Sequence, residues 1–278
     1  MKIVRVLNTN AIVSADEKGR EIIVTGSGIG FKKKKGENLD PLLVDKTYYL
    51  ESKEDCSRLQ EVVKEISEEY LEIAARTVEL VRNRYQLKVR DTLYVTLTDH
   101  VNSAVQRMEE GIPLKNMMKH EIRRFYSSEY EAGAQAVKWI FEKTGIDLGD
   151  DEAAFIAMHI VSAEFEMGEN VDVHKITELI NAILQIVRIH FKIEFNESSV
   201  SYGRFLTHLK FFATRVLDNT VYEDSMQEIY KVLVEQNQQA YSGVKKICDF
   251  IKRQYGYELT IDEELYLLIH IKRILDEQ

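Results

Sequence analysis

The feature that most constrains this sequence is an internal repeat. The stretch at 145–160 reads GIDLGDDEAAFIAMHI, and the stretch at 256–271 reads GYELTIDEELYLLIHI. Aligned position by position, the two stretches share a glycine, a leucine, an Asp-Glu pair and a final His-Ile that contains His159 or His270. Self-similarity at a long fixed period indicates that one structural unit has been duplicated.

A second correspondence extends the repeat towards the N-terminus. His100 and His208 are separated by nearly the same interval as His159 and His270, and an arginine follows each at the same spacing, Arg107 or Arg215. Two copies of a domain of about 105 residues account for both correspondences better than chance does. We place the copies at 66–170 and 171–278.

Apolar residues downstream of residue 56 recur with helical spacing. Leucine or isoleucine stands at every seventh position from Leu59 to Leu87, and similar spacing continues in segments such as Ile176–Phe191. This period is typical of amphipathic helices. The chain contains two prolines, Pro41 and Pro113, which suits long helices because proline interrupts them. Both copies are therefore predicted to be all-α helical bundles.

The N-terminal segment, 1–55, follows a different pattern. Short runs rich in β-branched residues alternate with turn-forming Asn, Asp and Gly, which indicates strands. The runs are Ile3–Leu7, Ala11–Ser14, Glu21–Thr25 and Lys46–Leu50. We predict a multi-domain chain, with a small all-β, antiparallel four-stranded domain at 1–55, a linker at 56–65 and then the two homologous helical domains. A sheet of this size is marginally stable alone, so a dimer is expected.

Charge is distributed unevenly along the chain. The total is −9, but the segment 1–35 carries eight lysines and arginines against three acidic residues, a net +5, which leaves −14 for the remainder. This asymmetry indicates a basic contact surface attached to an acidic body. No apolar stretch reaches the ~20 residues of a membrane span, and no secretory signal is evident. With two cysteines, Cys56 and Cys248, and no CxxC motif, a cytoplasmic protein without stable membrane insertion is expected.

Four of the seven histidines lie in matching repeat positions. A single histidine among aromatic residues is more often a core or surface group than a functional one, but four in matched contexts change that balance. Metal binding is disfavoured because there is no HExxH or CxxC motif, and nucleophilic catalysis because no partner base is evident. Reversible phosphorylation needs an exposed imidazole that is largely neutral near neutral pH, and the ordinary pKa of histidine suits that role. The candidates are His100, His159, His208 and His270, whereas His120, His174 and His190 have no counterpart and are interpreted as ordinary.

The repeated Asp-Glu pairs invite a catalytic interpretation, but helix geometry explains their spacing. Thr260 and Glu263 have capping-box spacing, and Gly149 with Glu152 is the weaker equivalent. Acidic residues also suit the positive end of a helix dipole. We therefore interpret these carboxylates as structural helix-capping groups.

A glycine-rich, basic segment follows the third predicted strand. GSGIGFKKKKG at 26–36 lacks the third glycine of a dinucleotide-binding loop and continues into lysines rather than an amphipathic helix, so nucleotide binding is disfavoured. A lysine run alone is as often a solvated loop. Beside Phe31, Arg5, Asn8 and Asn10 it favours RNA, with cations for phosphates, amides for base edges and a ring for stacking. DNA is disfavoured because the segment has no recognition helix.

Several motifs in the expected order resemble the BglG/SacY family of bacterial transcription antiterminators over the full length. They are MKIVRVLNTNAIV, GSGIGFKKKKG, VTLTDHVNSAVQR, DEAAFIAMHIVSAE, THLKFFATR and ELYLLIHIKR. The resemblance implies an N-terminal co-antiterminator (CAT) RNA-binding domain that works as a homodimer, followed by two phosphotransferase-regulation domains (PRDs). Some members carry arginine where this chain has Ser27, so that contact is absent here. The implied contacts to a leader mRNA hairpin come from Asn8, Asn10, Gly26, Gly28 and Phe31, with Arg5 and Lys32 nearby.

For the PRDs the resemblance implies phosphorylation of His100 and His159 in the first and of His208 and His270 in the second. A sugar-specific Enzyme II of the phosphotransferase system would phosphorylate the first PRD and inactivate the protein when its sugar is absent. The histidine-containing phosphocarrier protein would phosphorylate the second PRD and activate it. The active chain would prevent terminator formation in the leader mRNA, with no cofactor, no metal and no catalytic residue of its own.

Two other functions remain open from the sequence. One is a PRD-containing DNA-binding transcriptional activator, although the segment 1–60 holds neither a helix-turn-helix pattern nor a P-loop. The other is an enzyme that passes a phosphoryl group from histidine to a further acceptor. Labelling that stops at this chain would favour a regulatory target over such a relay.

Overall fold

Four short strands at the N-terminus form one antiparallel sheet in the computed structural model, which describes residues 1–16, 18–49, 53–164, 172–220 and 227–278. The strands follow one another in the order β1-β2-β3-β4, and this confirms the predicted four-stranded domain. Leu50, the last residue of the fourth predicted run, lies outside the described residues. The strands are β1 (Ile3–Val6), β2 (Ala11–Ala15), β3 (Glu21–Thr25) and β4 (Lys46–Tyr48).

Both faces of this sheet are covered, because side chains alternate between faces along each strand. One face packs against loop residues that include Ile29 and Leu39. The other face, with Ala11 and Ile23, packs against the first helix. We call the sheet and its loops, residues 1–49, the head.

The interval predicted as a linker, 56–65, is helical. It lies inside α1 (Lys53–Glu65), whose Cys56, Leu59 and Val63 are buried in one cluster with the sheet. Their spacing of three and four residues puts them on one side of a helix, which is why this segment docks on the sheet.

In the described residues of the first half, five further helices follow. At Gly133 two of them approach closely, because an added Cβ would lie 2.2 Å from the carbonyl oxygen of Ala153, so a larger residue would push the helices apart. The helices are α2 (Glu68–Asn83), α3 (Thr92–Glu109), α4 (Lys119–Phe125), α5 (Ser127–Thr144) and α6 (Gly149–Glu164).

The second half is helical in the part that the structure describes. Its helices are α7 (Val173–Phe191), α8 (Val200–Asp218), α9 (Gln227–Gln236), α10 (Gln238–Tyr255) and α11 (Ile261–Asp276). Gly145 ends α5 with φ of 74°, and its repeat equivalent Gly256 ends α10 with φ of 67°. Glycine adopts this left-handed conformation without steric cost, which explains why the repeat begins with it.

The chain divides into two compact units, Met1–Glu169 and Asn170–Gln278. The predicted boundary between 170 and 171 lies at residues outside the described ones, and the division of the first unit into head, linker and helical domain stays a prediction. No helix in the described ranges is long and apolar enough to cross a membrane. The architecture confirms a small antiparallel sheet followed by helical segments.

Candidate functional site

The two predicted histidines of the first unit meet across two helices. His100 lies on α3 and His159 on α6, and their ring centroids are 4.6 Å apart. Phe155, one turn before His159, contributes a third ring at 6.2 Å from His100. We call His100 and His159 the first histidine pair.

Glu152 joins this pair to an arginine. Its Oε2 accepts a hydrogen bond from Nε2 of His100 at 2.9 Å, and its Oε1 accepts one from Arg107 at 3.0 Å. Burial raises the pKa of this carboxyl, but the hydrogen bonds and electrostatic influence of His100 and Arg107 outweigh burial and hold the pKa below its usual value. Glu152 is therefore a carboxylate at neutral pH, and a carboxylate can only accept.

This geometry corrects the helix-capping interpretation for Gly149 and Glu152. Oδ1 of Asp147 accepts a hydrogen bond from the N–H of Gly149 at 3.0 Å, so Asp147 supplies the side-chain acceptor at the start of α6. Asp151 accepts from the backbone N–H of Asn116 at 3.2 Å. Spacing alone could not show this, because the partners of Glu152 lie 45 and 52 positions away in the sequence.

His159 is held neutral by its surroundings. Burial, and then the electrostatic influence of His100, lower the pKa of His159 from 6.5 to about 3. An imidazole with so low a pKa keeps a lone pair at physiological pH, which is the form that can accept a phosphoryl group.

The second unit repeats the pair with a different neighbour. His208 lies on α8 and His270 on α11, with ring centroids 4.7 Å apart. Tyr266, the repeat equivalent of Phe155, stands edge-on to His208 at 4.5 Å. We call His208 and His270 the second histidine pair.

The carboxylate equivalent to Glu152 is used differently here. Glu263 accepts from Arg215 at 3.2 Å, from the hydroxyl of Tyr257 at 3.0 Å and from the backbone N–H of Thr260 at 3.0 Å. Its own N–H donates to the Thr260 hydroxyl, which confirms the predicted capping box. Among the described residues no hydrogen bond links Glu263 to His208.

Two repeat positions explain this difference. Tyr257 aligns with Ile146, and Thr260 aligns with Gly149, so the first repeat has neither the hydroxyl nor the capping side chain that occupy Glu263. The carboxylate of Glu152 thereby stays available to His100. Comparing the repeats at these positions is the sequence signal that could have revealed it.

Burial also makes the second pair neutral. It lowers the pKa of His270 from 6.5 to about 4, with a further contribution from the charge of His208. The pKa of His208 is lowered by burial and then by the charge of Arg215. In the described part of the chain, Nδ1 of His270 is fully enclosed and has no hydrogen-bond partner.

The other three histidines stand apart from both pairs. His120, His174 and His190 are exposed. His174 lies 3.5 Å from Glu178 one turn away, and His190 hydrogen-bonds the hydroxyl of Ser242 at 2.7 Å. In the described ranges no group of three or more His, Cys, Asp or Glu side chains is arranged to hold a metal ion.

The basic segment of the head presents a ring to solvent. Phe31 is 59% exposed, and the ammonium of Lys32 lies 5.3 Å from its centroid. Lys34 and Lys35 follow in the sequence and are exposed, and Arg5 on β1 is exposed as well. An exposed aromatic ring among cations can stack on a base while the cations contact phosphates.

The asparagines and glycines of the predicted RNA surface meet at one place. Oδ1 of Asn10 accepts from the N–H of Gly28 at 2.9 Å, and its carbonyl accepts from the N–H of Gly26 at 2.9 Å. Oδ1 of Asn8 accepts from the N–H of Asn10 at 2.8 Å, and Nδ2 of Asn8 donates to the carbonyl of Val63 at 2.7 Å. These amides brace the loops, a structural task that the sequence pattern did not indicate.

Gly26 has a packing reason to be glycine. A Cβ there would lie 1.7 Å from the carbonyl oxygen of Leu43, which no side chain tolerates. Gly28 has φ of 69° and open space around it, so its conformation rather than its surroundings favours glycine.

Comparisons with known proteins agree with this arrangement. The PRD domain family matches residues 75–163 and 181–274, and the CAT RNA binding domain family matches residues 1–57. The chain is 39% identical over 277 residues to transcription antiterminator LicT of Bacillus subtilis (strain 168), with 100% of both chains covered. It is 36% identical to the beta-glucoside operon antiterminator of Dickeya chrysanthemi, with 100% of this chain and 98% of the relative covered.

A solved structure resembles part of the chain. The crystal structure of GlcT CAT-PRDI matches with a TM-score of 0.51 and 28% identity, and the match covers 59% of this chain and 98% of that one. The likeness supports the fold of a sheet followed by helices.

Proposed function

We propose that this chain, which belongs to the BglG/SacY family of bacterial transcription antiterminators, is a cytoplasmic, sugar-responsive antiterminator. Two copies of the head bind a hairpin in nascent leader mRNA. The bound hairpin excludes the overlapping terminator hairpin, so RNA polymerase reads through.

The exposed ring of Phe31 among the cations of the head is the observation that carries this proposal. The CAT RNA binding domain match covers the same residues, 1–57. In a chain of net charge −9, residues 1–35 carry a net charge of +5, so this part of the head can hold a polyanion. Arg5, Asn8, Asn10, Gly26, Gly28, Phe31 and Lys32 form the proposed contact set.

The histidine pairs receive the sugar signal in this proposal. Enzyme II phosphorylates the first pair and inactivates the protein, and the phosphocarrier protein phosphorylates the second pair and activates it. The depressed pKa values of His159 and His270 support the proposal, since a neutral ring is the nucleophilic form. The chain is then a substrate of phosphoryl transfer and not an enzyme.

Each phosphorylation changes the local charge strongly. A phosphoryl group adds nearly two negative charges at neutral pH. Each pair has one carboxylate and one arginine nearby, Glu152 with Arg107 and Glu263 with Arg215, so the added charge is repelled by one group and attracted by the other. A shift of a few kcal/mol is enough to redistribute a two-state dimer.

RNA binding by the full chain tests the proposal directly. Anisotropy titrations use the hairpin from the leader RNA of the operon that encodes the chain, with duplex DNA of the same sequence as control. Phe31→Ala is expected to weaken RNA binding by about tenfold, because stacking of one base on an aromatic ring is worth about 1–3 kcal/mol. Phe141→Ala is the matched control, since Phe141 is 53% exposed on α5, away from the head sheet.

The outcomes separate the alternatives. RNA-selective, salt-sensitive binding that falls only in the Phe31 variant supports the antiterminator. If RNA affinity falls equally in the Phe31 and Phe141 variants, the head is not the RNA-binding surface. Tighter binding to the duplex DNA would favour the DNA-binding activator instead.

A further inference from the structure

We propose that Glu152 is a positioning residue that makes Nδ1 of His100 the phosphoryl acceptor in the first histidine pair, and that the second pair lacks this device. The inference rests on the proposed phosphorylation of the PRDs. It assigns a specific atom and a specific partner to that reaction, and it distinguishes two sites whose histidines are otherwise alike.

The tautomer of His100 follows from the chemistry of its partner. An ionised carboxylate offers only lone pairs, so the hydrogen atom in the 2.9 Å contact must sit on Nε2 of the ring. In a neutral imidazole the proton on one nitrogen leaves the lone pair on the other. Nδ1 is therefore the nucleophilic nitrogen of His100.

The ring is also placed so that Nδ1 can be approached. His100 keeps 12% of its side-chain exposure, and Nδ1 has no hydrogen-bond partner among the described residues. The fully enclosed, unpartnered side-chain atoms in the described part of the chain include Nδ1 of His270 but not Nδ1 of His100. Nδ1 of His100 is therefore not fully enclosed, while Nε2 of the same ring contacts Glu152.

Arg107 fixes the carboxylate itself. It binds Oε1 at 3.0 Å while His100 occupies Oε2, so the two oxygens of Glu152 cannot exchange roles freely. The side chain of Glu152 is only 5% exposed, which strengthens both contacts because water does not compete for them. Arg107 thus orients Glu152, and Glu152 in turn orients the ring of His100, which is the kind of arrangement that positions a nucleophilic histidine.

The transfer step balances without an added proton or cofactor. The lone pair on Nδ1 attacks the phosphorus of a phosphohistidine on a donor protein. A P–N bond forms on His100 as the P–N bond of the donor breaks, and the donor nitrogen keeps the bonding electron pair. The Nε2 proton stays on the phosphorylated ring, and the resulting positive charge lies against the Glu152 carboxylate, which stabilises it.

The second pair is built without this contact. Tyr257, Thr260 and Arg215 occupy the carboxylate of Glu263, and His208 has no hydrogen bond in the part of the chain that the structure describes. Neither nitrogen of His208 is selected by a fixed charge. The two PRDs are thus expected to differ in the isomer of phosphohistidine that they form.

The isomer of phosphohistidine at His100 tests the proposal. The full chain is treated with phosphoramidate, a small P–N phosphoryl donor, and peptides that contain His100 are probed with isomer-specific antibodies and by mass spectrometry. The native chain is expected to carry the Nδ1 isomer. Glu152→Gln removes the fixed negative charge, and the ratio of Nδ1 to Nε2 isomer at His100 is expected to fall about tenfold, the scale set by a charge-assisted hydrogen bond.

Glu263→Gln serves as the matched control, because it changes the equivalent carboxylate without touching the first pair. It is expected to leave the isomer ratio at His100 unchanged. A native chain that forms the Nε2 isomer at His100, that takes no phosphoryl group there, or that keeps its ratio in Glu152→Gln would overturn the proposal.

A second measurement does not depend on the folding of a variant. Nitrogen-15 spectra of the histidine rings in the unphosphorylated native chain are expected to show a protonated Nε2 and an unprotonated Nδ1 at His100. The opposite tautomer would overturn the proposal. If phosphoramidate labels Nδ1 but the proteins of the phosphotransferase system do not, the role of Glu152 stands and the proposed signalling function fails.

Discussion

The two helical domains hold a matching glutamate and a matching arginine beside their histidines but connect them differently. In the first, Glu152 bonds the histidine and the arginine together. In the second, Glu263 bonds the arginine, a tyrosine and the helix N-terminus, and His208 meets the edge of Tyr266 instead. Duplication has kept the residue types, whereas the bonding pattern has diverged.

The difference shows how a neighbour can change the task of a residue. Glu152 and Glu263 occupy equivalent repeat positions, and one side chain orients a histidine while the other caps a helix. The change needs only two replacements, Tyr257 for Ile146 and Thr260 for Gly149, because each adds a group that competes for the same carboxylate.

Glu263→Ala is expected to cause the largest loss in the free energy of unfolding of the second unit. It removes the acceptor of Arg215, Tyr257 and Thr260 together, and loss of one partner from a buried charge pair costs about 3–5 kcal/mol. Urea unfolding followed by far-ultraviolet circular dichroism measures the loss. Trp139 is the single tryptophan and lies in the first unit, so its fluorescence transition is expected to stay in place.

Glu263→Gln is the control for this effect. Glutamine can still complete a capping box, so it is expected to retain a substantial part of the free energy of unfolding. If Glu263→Ala costs less than about 1 kcal/mol, the capping network is not what distinguishes the second domain.

Acidification is expected to weaken both domains in the same way. Burial lowers the pKa of His159 to about 3 and that of His270 to about 4, against 6.5 for the ordinary side chain. The unfolded chain then binds protons at a pH where the folded chain does not, so stability present above pH 6.5 is lost as the pH falls. Between about pH 7 and about pH 5 each histidine contributes a loss of at most about 2 kcal/mol.

Urea titrations followed by Trp139 fluorescence at about pH 7 and about pH 5 measure this loss in the free energy of unfolding for the first unit. His159→Gln is expected to reduce the pH dependence of that transition, because glutamine takes up no proton. A variant with the same pH dependence as the native chain would mean that His159 is not the group responsible.

Tyr257→Phe is expected to change the free energy of unfolding less than Glu263→Ala or acidification does. It deletes one hydroxyl that hydrogen-bonds Glu263 and leaves the ring in place, so the free energy of unfolding falls by about 1–1.5 kcal/mol. Tyr255→Phe is the matched control, since no hydrogen bond of its hydroxyl is found among the described residues. If both substitutions lower the free energy of unfolding equally, the hydrogen bond of Tyr257 to Glu263 does not stabilise the second domain specifically.

The sequence predicted much of the fold because the relevant signals are local. The seven-residue apolar spacing after Leu59 indicated helices, and alternating runs such as Glu21–Thr25 indicated strands. The spacing from Leu59 indicated helix within 56–65 as well, but it did not indicate that this helix docks on the sheet, because Cys56, Leu59 and Val63 are buried by strands distant in the sequence. Their docking on the sheet supplies the stabilisation that the segment alone lacks.

The candidate sites were predicted in part. Repeat matching selected His100, His159, His208 and His270, and the structure brings them together as two pairs. The bonds of Glu152 were not foreseen, because capping-box spacing is a statement about one helix. The bracing role of Asn8 and Asn10 was missed for a similar reason, since Val63 lies far along the chain.

By itself the sequence determined which segments are strands and helices, where α11 is capped and which residues are duplicated, because these depend on neighbours within a few positions. Tertiary structure alone decided that Glu152 reaches His100 from a distant part of the sequence while Glu263 turns to Tyr257 and Thr260. A buried carboxylate binds whichever donors the packed helices bring within about 3 Å, and that distance is set by packing, not by sequence spacing.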